Sequence, residues 1–252
     1  MLTYVIIFLV CLYIWGFFIE PNLLTVKRYK VDNLCGKRIV FVSDFHIGKF
    51  DKLRLKKIVN KINQLKPDLV LSGGDYINGH SGKHSMPIEK LVKEFEKIEI
   101  PFISVLGNHD GAFDKYTVRT ALENKGIKVL NNSHTQIDEL YIAGVGGKNV
   151  SVSELKTALE NTRHPRILLS HTPDIYFDVK DDVDLILAGH VHGGQVRLPF
   201  IGALICPSKY GTKFSCGDFH ETQNRMIVTR GLGTSILNVR FYDIPEIVLL
   251  EE

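Results

Sequence analysis

Residues 39–46 have the sequence IVFVSDFH, an apolar run that ends in two potential metal ligands, Asp44 and His46. The β-branched and aromatic composition of Ile39–Val42 predicts a buried strand. Successive strand residues point to opposite sides, so Asp44 and His46, two positions apart, project to the same side of the strand end. One cation can therefore bind both side chains.

Polar clusters follow four further apolar runs, and all of them contain Asp, Asn or His: Gly73-Gly74-Asp75, Gly107-Asn108-His109-Asp110, Ser170-His171 and Gly189-His190-Val191-His192. Side chains at the carboxyl ends of neighbouring strands converge in one crevice, and glycine permits the tight turns this requires. A lone Asp-x-His or His-x-His is weak evidence, since such a histidine is more often structural. Five clusters in this order favour one shared site.

The clusters supply seven oxygen and imidazole donors, the ligand types that suit Mn, Fe, Zn or Co: Asp44, His46, Asp75, Asn108, His171, His190 and His192. Seven donors are too many for one tetrahedral zinc but suit two ions that share a carboxylate. Two ions about 3.5–4 Å apart hold a bridging hydroxide and stabilise in-line displacement at phosphorus. We therefore expect two divalent metal ions, Mn first, with Fe or Zn as alternatives.

The ordered motifs D-x-H, G-D, G-N-H-D, H and G-H-x-H resemble those of the calcineurin-like metallophosphoesterases, from about Ile39 to Leu250. Further segments look like the bacterial membrane-associated phosphodiesterase branch: Glu20-Pro21, Ser170–Asp174, Gly189–Gln195, Arg230–Gly233 and Pro245-Glu246. Some relatives in or near that branch cleave UDP-diacylglucosamine. The resemblance implies an α/β fold, a four-layer α/β/β/α sandwich, and hydrolysis of a phosphate ester.

The resemblance also implies roles for individual residues. One metal site would use Asp44, His46, Asp75 and His192; the other would use Asp75, Asn108, His171 and His190, with Asp75 bridging. His109 would protonate the leaving oxygen, and Asp110 would orient that imidazole. One departure concerns Tyr76-Ile77-Asn78, where many relatives carry a carboxylate, and it leaves the support of Asp75 open.

Five histidines lie outside this pattern, and we predict surface or turn positions for them: His80, His84, His134, His164 and His220. His80 and His84 are the strongest candidates for exceptions because they follow Asp75 closely.

The amino-terminal run Leu2–Ile19, LTYVIIFLVCLYIWGFFI, contains no charged residue. At about 1.5 Å per helical residue it comes close to the ~30 Å hydrocarbon thickness of a bilayer. No basic residue precedes it and no small-x-small site follows it, so a retained single-pass anchor is favoured over a cleaved signal peptide. A buried core helix is the alternative.

Basic residues cluster on the carboxyl-terminal side of the apolar run: Lys27, Arg28, Lys30, Lys37 and Arg38. By the positive-inside rule, this places the catalytic domain on the cytoplasmic face of the membrane.

We predict a membrane anchor over residues 1–20, a linker over 21–38 and the catalytic domain over 39–252. Strands alternate with helices early in the domain and follow one another more closely later, which indicates two packed sheets with helices outside. Eight strands are predicted: Ile39–Val42, Leu69–Leu71, Phe102–Val105, Leu140–Ala143, Ile167–Leu169, Leu185–Leu187, Met226–Thr229 and Ile247–Leu250. Four helices are predicted: Lys52–Leu65, Pro87–Ile98, Lys115–Lys125 and Val152–Asn161. The excursion Gly193–Asn224 is a candidate for substrate selection.

With 252 residues and 44% hydrophobic content, the chain can bury one sizeable core. The net charge is only +3 and no long Lys/Arg block occurs, so no specific nucleic-acid partner is expected. The four cysteines form no Cys-x-x-Cys motif, and whether Cys206 and Cys216 pair stays open. We expect a monomer acting on a phosphorylated small molecule or lipid-linked substrate at a bilayer.

Two alternatives remain at this level: a metal-dependent binding scaffold without turnover, and a nuclease-type phosphodiesterase. A scaffold would usually lose the general acid or several ligands, whereas His109 and all seven donors are present.

Overall fold

A computed structural model describes residues 1–79 and 81–252. The described residues form five α-helices: α1 (Leu2–Ile14), α2 (Lys52–Leu65), α3 (Ile88–Phe95), α4 (Asn108–Glu123) and α5 (Val152–Leu159). They also form fourteen strands: β1 (Thr25–Lys30), β2 (Ile39–Val42), β3 (Leu69–Ser72), β4 (Phe102–Ser104), β5 (Lys128–Val129), β6 (Ser133–Ile137), β7 (Leu140–Val145), β8 (Arg166–Ser170), β9 (Leu185–Ala188), β10 (Arg197–Leu198), β11 (Gly202–Ala203), β12 (Gly217–Phe219), β13 (Met226–Val228) and β14 (Glu246–Glu251).

Two six-stranded sheets carry the domain. The first has the order β1-β14-β2-β3-β4-β5, and the second has the order β12-β13-β9-β8-β7-β6. Strands β2, β3, β4 and β5 pair in parallel, as do β7, β8, β9 and β13. A separate hairpin pairs β10 with β11. The carboxyl ends of the parallel strands thus fall at a common edge of each sheet.

The core has three apolar layers, because side chains along each strand point alternately to its two faces. Ile39 and Phe41 of β2 lie between the two sheets, where they pack with residues of β8 and β9. Val40 and Val42 point the other way, toward α2 and α3. Because side chains alternate across a strand, one run of four apolar residues serves both layers. A third layer lies between the second sheet and α5, and the result is helix, sheet, sheet and helix. The predicted four-layer α/β sandwich is confirmed.

One strand lies where the sequence indicated a linker. Thr25–Lys30 forms β1, which pairs in parallel with β14 at the edge of the first sheet. The linker interpretation of residues 21–38 is therefore wrong for these six residues. Their side chains are mostly exposed and polar, so they lack the apolar alternation by which strands are predicted, and pairing with a distant segment makes the strand.

Helix α4 also differs from its prediction. It begins at Asn108, within the Gly-Asn-His-Asp cluster, rather than at Lys115. A kink with extended φ and ψ at Asp114 divides it, and only the second part carries the buried Val118 and Leu122 that give a helical apolar pattern. The first turn consists of polar residues of the cluster, for which apolar periodicity gives no signal.

The amino-terminal helix is long and apolar enough to cross a membrane, with Leu2–Asn22 continuous as a helix and largely exposed. Beyond Ile14 it continues as a wider π-helical turn, Trp15–Ile19, and a 3-10 turn, Glu20–Asn22. Its large apolar side chains have no core to cover them over most of its length. The alternative of a buried core helix is thereby excluded.

Candidate metal centre

Five loops bring the predicted ligands to one edge of the sandwich. Asp44 and His46 follow β2, Asp75 follows β3, and Asn108 opens α4 after β4. From the second sheet, His171 follows β8, and His190 and His192 follow β9. Since β2, β3 and β4 are neighbours, and β8 and β9 are neighbours, the loops meet where the two sheets face each other.

Five of these ligand residues have left-handed backbone conformations, with φ of 56° at Asp44, 39° at His46, 56° at Asp75, 73° at His190 and 51° at His192. Non-glycine residues rarely adopt positive φ, and each such residue costs on the order of 1–3 kcal/mol. Strain of this kind gathers at functional sites, where the surrounding structure holds it in place.

Asp44, His46 and His192 form a first cluster of potential ligand atoms. The Nε2 atoms of His46 and His192 lie 3.2 Å apart, and His192 Nε2 lies 3.6 Å from Asp44 Oδ1. Burial raises the pKa of Asp44 to about 7 and lowers the pKa of His46 and of His192 well below the ordinary value. The imidazoles are therefore neutral, the form in which they bind a metal.

Asp75, His171 and His190 form a second cluster. His171 Nε2 lies 3.1 Å from His190 Nδ1 and 2.9 Å from Asn108 Oδ1. His190 presents Nδ1 because its Nε2 faces the carbonyl oxygen of Pro207 at 3.1 Å. Burial lowers the pKa of His190 to about 3, so it too is neutral near pH 7.

Asp75 stands between the two clusters. Its Oδ2 lies 3.5 Å from His46 Nε2 on one side and 3.5 Å from His171 Nε2 on the other. Among the described residues this buried oxygen has no hydrogen-bond partner, while Oδ1 accepts the backbone N–H of His109 at 2.8 Å. A buried carboxylate oxygen left this way is costly unless a cation binds it. The donor set therefore fits two divalent ions with Asp75 shared.

Backbone carbonyls orient two of the imidazoles. Nδ1 of His46 lies 2.9 Å from the carbonyl oxygen of Ile77, and Nδ1 of His171 lies 2.8 Å from that of Gly73. Each carbonyl requires a proton on Nδ1, which leaves the Nε2 lone pair directed into the site.

His109 and Asp110 lie beside the clusters. The His109 ring packs edge-on against the His46 ring, with centroids 4.7 Å apart. The buried Asp110 carboxylate accepts backbone N–H groups of Asp75, Tyr76, Ile77 and Gly107 at 2.8–3.2 Å.

Asp110 thus fixes the backbone of the loop that carries Asp75. The sequence did not predict these hydrogen bonds. The support of Asp75, left open by the Tyr76-Ile77-Asn78 departure, comes from this residue. The role of Asp110 toward the His109 imidazole stays a prediction.

Two glycines of the motifs are required by close approach. A Cβ at Gly107 would lie 2.0 Å from Asp75 Oδ1, and one at Gly189 would lie 2.5 Å from Asp44 Oδ2. Their presence in the clusters was visible in the sequence, but the atoms they make room for were not.

The remaining histidines have mixed positions. His84 is exposed and lines a cavity of about 440 Å³ together with His46. His164 and His220 are exposed, as predicted for surface or turn positions, whereas His134 is half-buried in strand β6. His80 lies outside the described residues. Cys206 and Cys216 are unpaired.

Residues 37–194 match the family of calcineurin-like phosphoesterases. Since this is more than half of the chain, the protein belongs to that family. It is accordingly a hydrolase acting on phosphate esters, in a family whose members use a dinuclear divalent metal centre.

Two curated relatives extend over nearly the whole chain. Phosphodiesterase YaeI of Escherichia coli (strain K12) is 30% identical, covering 92% of this chain and 89% of its own length. UDP-2,3-diacylglucosamine pyrophosphatase LpxG of Chlamydia muridarum (strain MoPn / Nigg) is 26% identical, covering 99% of this chain and 95% of its own. The crystal structure of TT1561 of Thermus thermophilus is similar in fold, with a TM-score of 0.54 at 15% identity over 78% of this chain and 90% of that one.

Proposed function

We propose that the protein hydrolyses a phosphodiester or pyrophosphate bond of a membrane or envelope molecule, at two divalent ions that share Asp75. The observation that carries the proposal is the buried Asp75 Oδ2, equidistant from His46 and His171 and without a hydrogen-bond partner among the described residues. Asp44, His46 and His192 would complete one site, and Asn108, His171 and His190 the other. When bound, such ions supply an activated water and neutralise charge on the phosphoryl group.

The protein's own residues then have separate tasks. His109, whose ring packs against His46, would donate a proton to the leaving oxygen. Asp110 would fix the loop that carries Asp75 by accepting its backbone N–H groups. It would also position His109, which directly precedes it in the chain. Mn²⁺ is the expected metal, with Fe and Zn as alternatives, because the donors are imidazole nitrogens and carboxylate or amide oxygens.

Two features support a membrane or envelope substrate. The relative LpxG is named for hydrolysis of a diacylated sugar nucleotide, and the apolar helix Leu2–Asn22 can hold the catalytic domain, residues 39–252, at a bilayer. We propose a single-pass anchor with the domain on the cytoplasmic face, acting as a monomer, on a phosphorylated small molecule or lipid-linked substrate. Lys27, Arg28 and Lys30 on β1 support that orientation.

The function is tested with full-length protein in detergent, stripped of metal by a chelator and reloaded separately with Mn²⁺, Fe²⁺ or Zn²⁺. Each form is assayed on aryl mono- and diesters, a lipid-linked pyrophosphate and single-stranded oligonucleotides, with Asp138→Asn, an exposed carboxylate paired with Lys37, as control. We expect metal-dependent cleavage of diester or pyrophosphate. Tight metal binding without turnover would indicate a scaffold, and preferential cleavage of oligonucleotides a nuclease.

The orientation is tested separately by protease treatment of sealed cells and of inverted vesicles. A cytoplasmic domain is protected in the cells and digested in the inverted vesicles.

A further inference from the structure

The carboxyl-terminal end of the apolar helix packs against the catalytic domain and is hydrogen-bonded to it. Gly16 is buried, and its carbonyl oxygen accepts the backbone N–H of Arg240 at 2.9 Å. The Phe17 carbonyl accepts from the Asn238 side chain at 3.4 Å. These contacts join the helix to the segment Thr234–Asp243.

A buried carboxylate completes this junction. Glu20 is only 1% exposed, and its two oxygens accept the backbone N–H of Asp243 and the indole N–H of Trp15. Asp243 in turn pairs with the fully buried Arg240. The helix end is therefore held by hydrogen bonds within the π-helical turn and directly after it, which favours a fixed orientation over a flexible tether.

The junction sets the depth of Thr234–Asp243 relative to a bilayer. Gly16 lies three residues before Ile19, the last apolar residue of the run, which is about 4.5 Å along a helix axis. If the run spans a bilayer, as in the proposed function, a segment bonded to Gly16 lies level with the last turn of the span, at the boundary between headgroups and acyl chains.

Apolar side chains are exposed on this segment. Ile236 is 100% exposed and Leu237 is 60% exposed. Ile236 also has φ of 65°, an outlier for a β-branched residue. In water, the strained backbone of Ile236 would not be offset by burial of its side chain. The apolar boundary of a bilayer would bury that side chain.

A second exposed apolar tip lies on a hairpin that is bonded to this segment. Phe200 and Ile201, between β10 and β11, are fully and largely exposed. Their hairpin is joined to the segment at its base, where the backbone N–H of Arg197 donates to the carbonyl oxygen of Phe241 at 2.9 Å.

The metal loop contacts the first tip directly. Gln195 follows His192 by three residues, and its side chain accepts the backbone N–H of Ser235 and donates to the carbonyl of Leu237 at 3.3 Å. Ile236 and Leu237 also line the 440 Å³ cavity that contains His46. The exposed tip is thus connected to the metal centre through Gln195 and through the cavity that both border.

We propose that Ile236-Leu237 and Phe200-Ile201 form a bilayer-docking surface, seated at the headgroup boundary, that holds the mouth of the His46 cavity against the membrane. The proposal rests on the membrane anchor of the proposed function. The occupant is the lipid surface rather than a protein, because the segment that bears Ile236 is bonded to the end of the apolar helix. Lys49, at the same cavity, suits anionic headgroups.

The test uses the full-length chain in vesicles of phosphatidylcholine and phosphatidylglycerol that carry a nitroxide near the headgroup. An environment-sensitive fluorophore is attached at Ile236→Cys in a background of Cys11→Ser, Cys35→Ser and Cys216→Ser. Matched controls carry it at Val152→Cys or Tyr116→Cys, exposed apolar positions on α5 and α4. These helices pack at the sheet edges opposite β1 and β12.

We expect the probe at position 236 to show blue-shifted emission and quenching by the nitroxide. The probe at either control position should show the emission typical of water. A probe on the native Cys11, with Cys35→Ser and Cys216→Ser, reports the anchor separately. If Cys11 is in lipid but Ile236 resembles the controls, the docking surface is wrong and the anchor stands. If Cys11 is outside lipid, the anchor itself fails.

A blue shift at Ile236 without nitroxide quenching would mean that protein covers the tip, and would overturn the bilayer as its occupant. Thermal unfolding and metal content identify correctly folded variants, and Leu237→Cys replaces Ile236→Cys if the latter does not fold.

Discussion

The two ligand clusters differ in what surrounds them, although both border on Asp75. In the first cluster, Asp44, His46 and His192 are all buried. In the second, Asn108 is partly exposed and His190 faces Pro207 of the excursion Gly193–Asn224. Both clusters are buried, but the first borders the cavity of about 440 Å³ that His46 lines, while the second lies against the excursion.

The residues that surround the two clusters also differ. Arg240, fully buried, donates to the carbonyl oxygens of Gly231 and Gly233, on the loop against Asp44 and His46. Beside the second cluster, Pro207 lines a cavity of about 550 Å³ with Lys148 and with Lys209, which pairs with Asp178 at 2.8 Å.

The largest effect is expected for Asp75→Asn, because a neutral amide bridges two cations poorly. Activity should be abolished, and both ions should be lost or held weakly, as metal analysis of the purified variant would measure. Asp138→Asn serves as the control. Two tightly held ions in Asp75→Asn would refute the shared-carboxylate assignment.

Next in size, His192→Ala and His190→Ala should each lose one ion and keep the other, since the two histidines belong to different clusters. Anomalous diffraction at a metal absorption edge would show which ion is missing in each variant. Loss of the same ion from both variants would show that the clusters are not separate sites.

His109→Ala should keep both ions yet slow turnover by roughly 10² to 10⁴, the usual contribution of a general acid. A nitrophenyl ester should suffer less than an alkyl ester, because nitrophenolate scarcely needs a proton to leave. The comparison requires kcat for both esters on the same metal-loaded preparation. Equal losses would remove His109 from the acid role.

Asp110→Asn should act through position rather than proton transfer. An amide retains only one acceptor oxygen for four backbone N–H groups, so the Asp75 loop should loosen. We expect metal affinity to fall about 10- to 100-fold, the usual effect of losing a group that orients ligands. Calorimetric titration measures it, and unchanged affinity with slower turnover would place Asp110 with His109 alone.

The smallest effect is a pH dependence that should be confined to metal binding. With the pKa of Asp44 raised to about 7 by burial, the metal-free carboxyl holds a proton below pH 7 that a cation must displace. The apparent affinity for Mn²⁺ should fall roughly tenfold per pH unit below this pKa. His46, His190 and His192 contribute little there, because burial holds the pKa of each imidazole below the ordinary value. An affinity constant between about pH 5 and 7 would contradict this linkage.

Much of the centre could be predicted from local sequence. The seven donors follow apolar strand runs, and their spacing of two in Asp44–His46 and His190–His192 is visible without any structure. Five features were missed for a common reason: β1, the polar first turn of α4, the Asp110 contacts, the Gln195 contacts and the Ile236 tip have no apolar period or motif of their own.

The sequence by itself determined which residues are the candidate metal ligands, because ligand type and strand periodicity are local properties of the chain. The family resemblance also implied how those residues are grouped, and only the tertiary structure shows the backbone geometry that brings each group together. His190 and His192 are neighbours in sequence yet point into different clusters, since left-handed backbone at both residues turns the loop between them. The contact of Gly16 with Arg240 likewise joins opposite ends of the chain. Such pairings depend on how distant strands order themselves in a sheet, which no local pattern records.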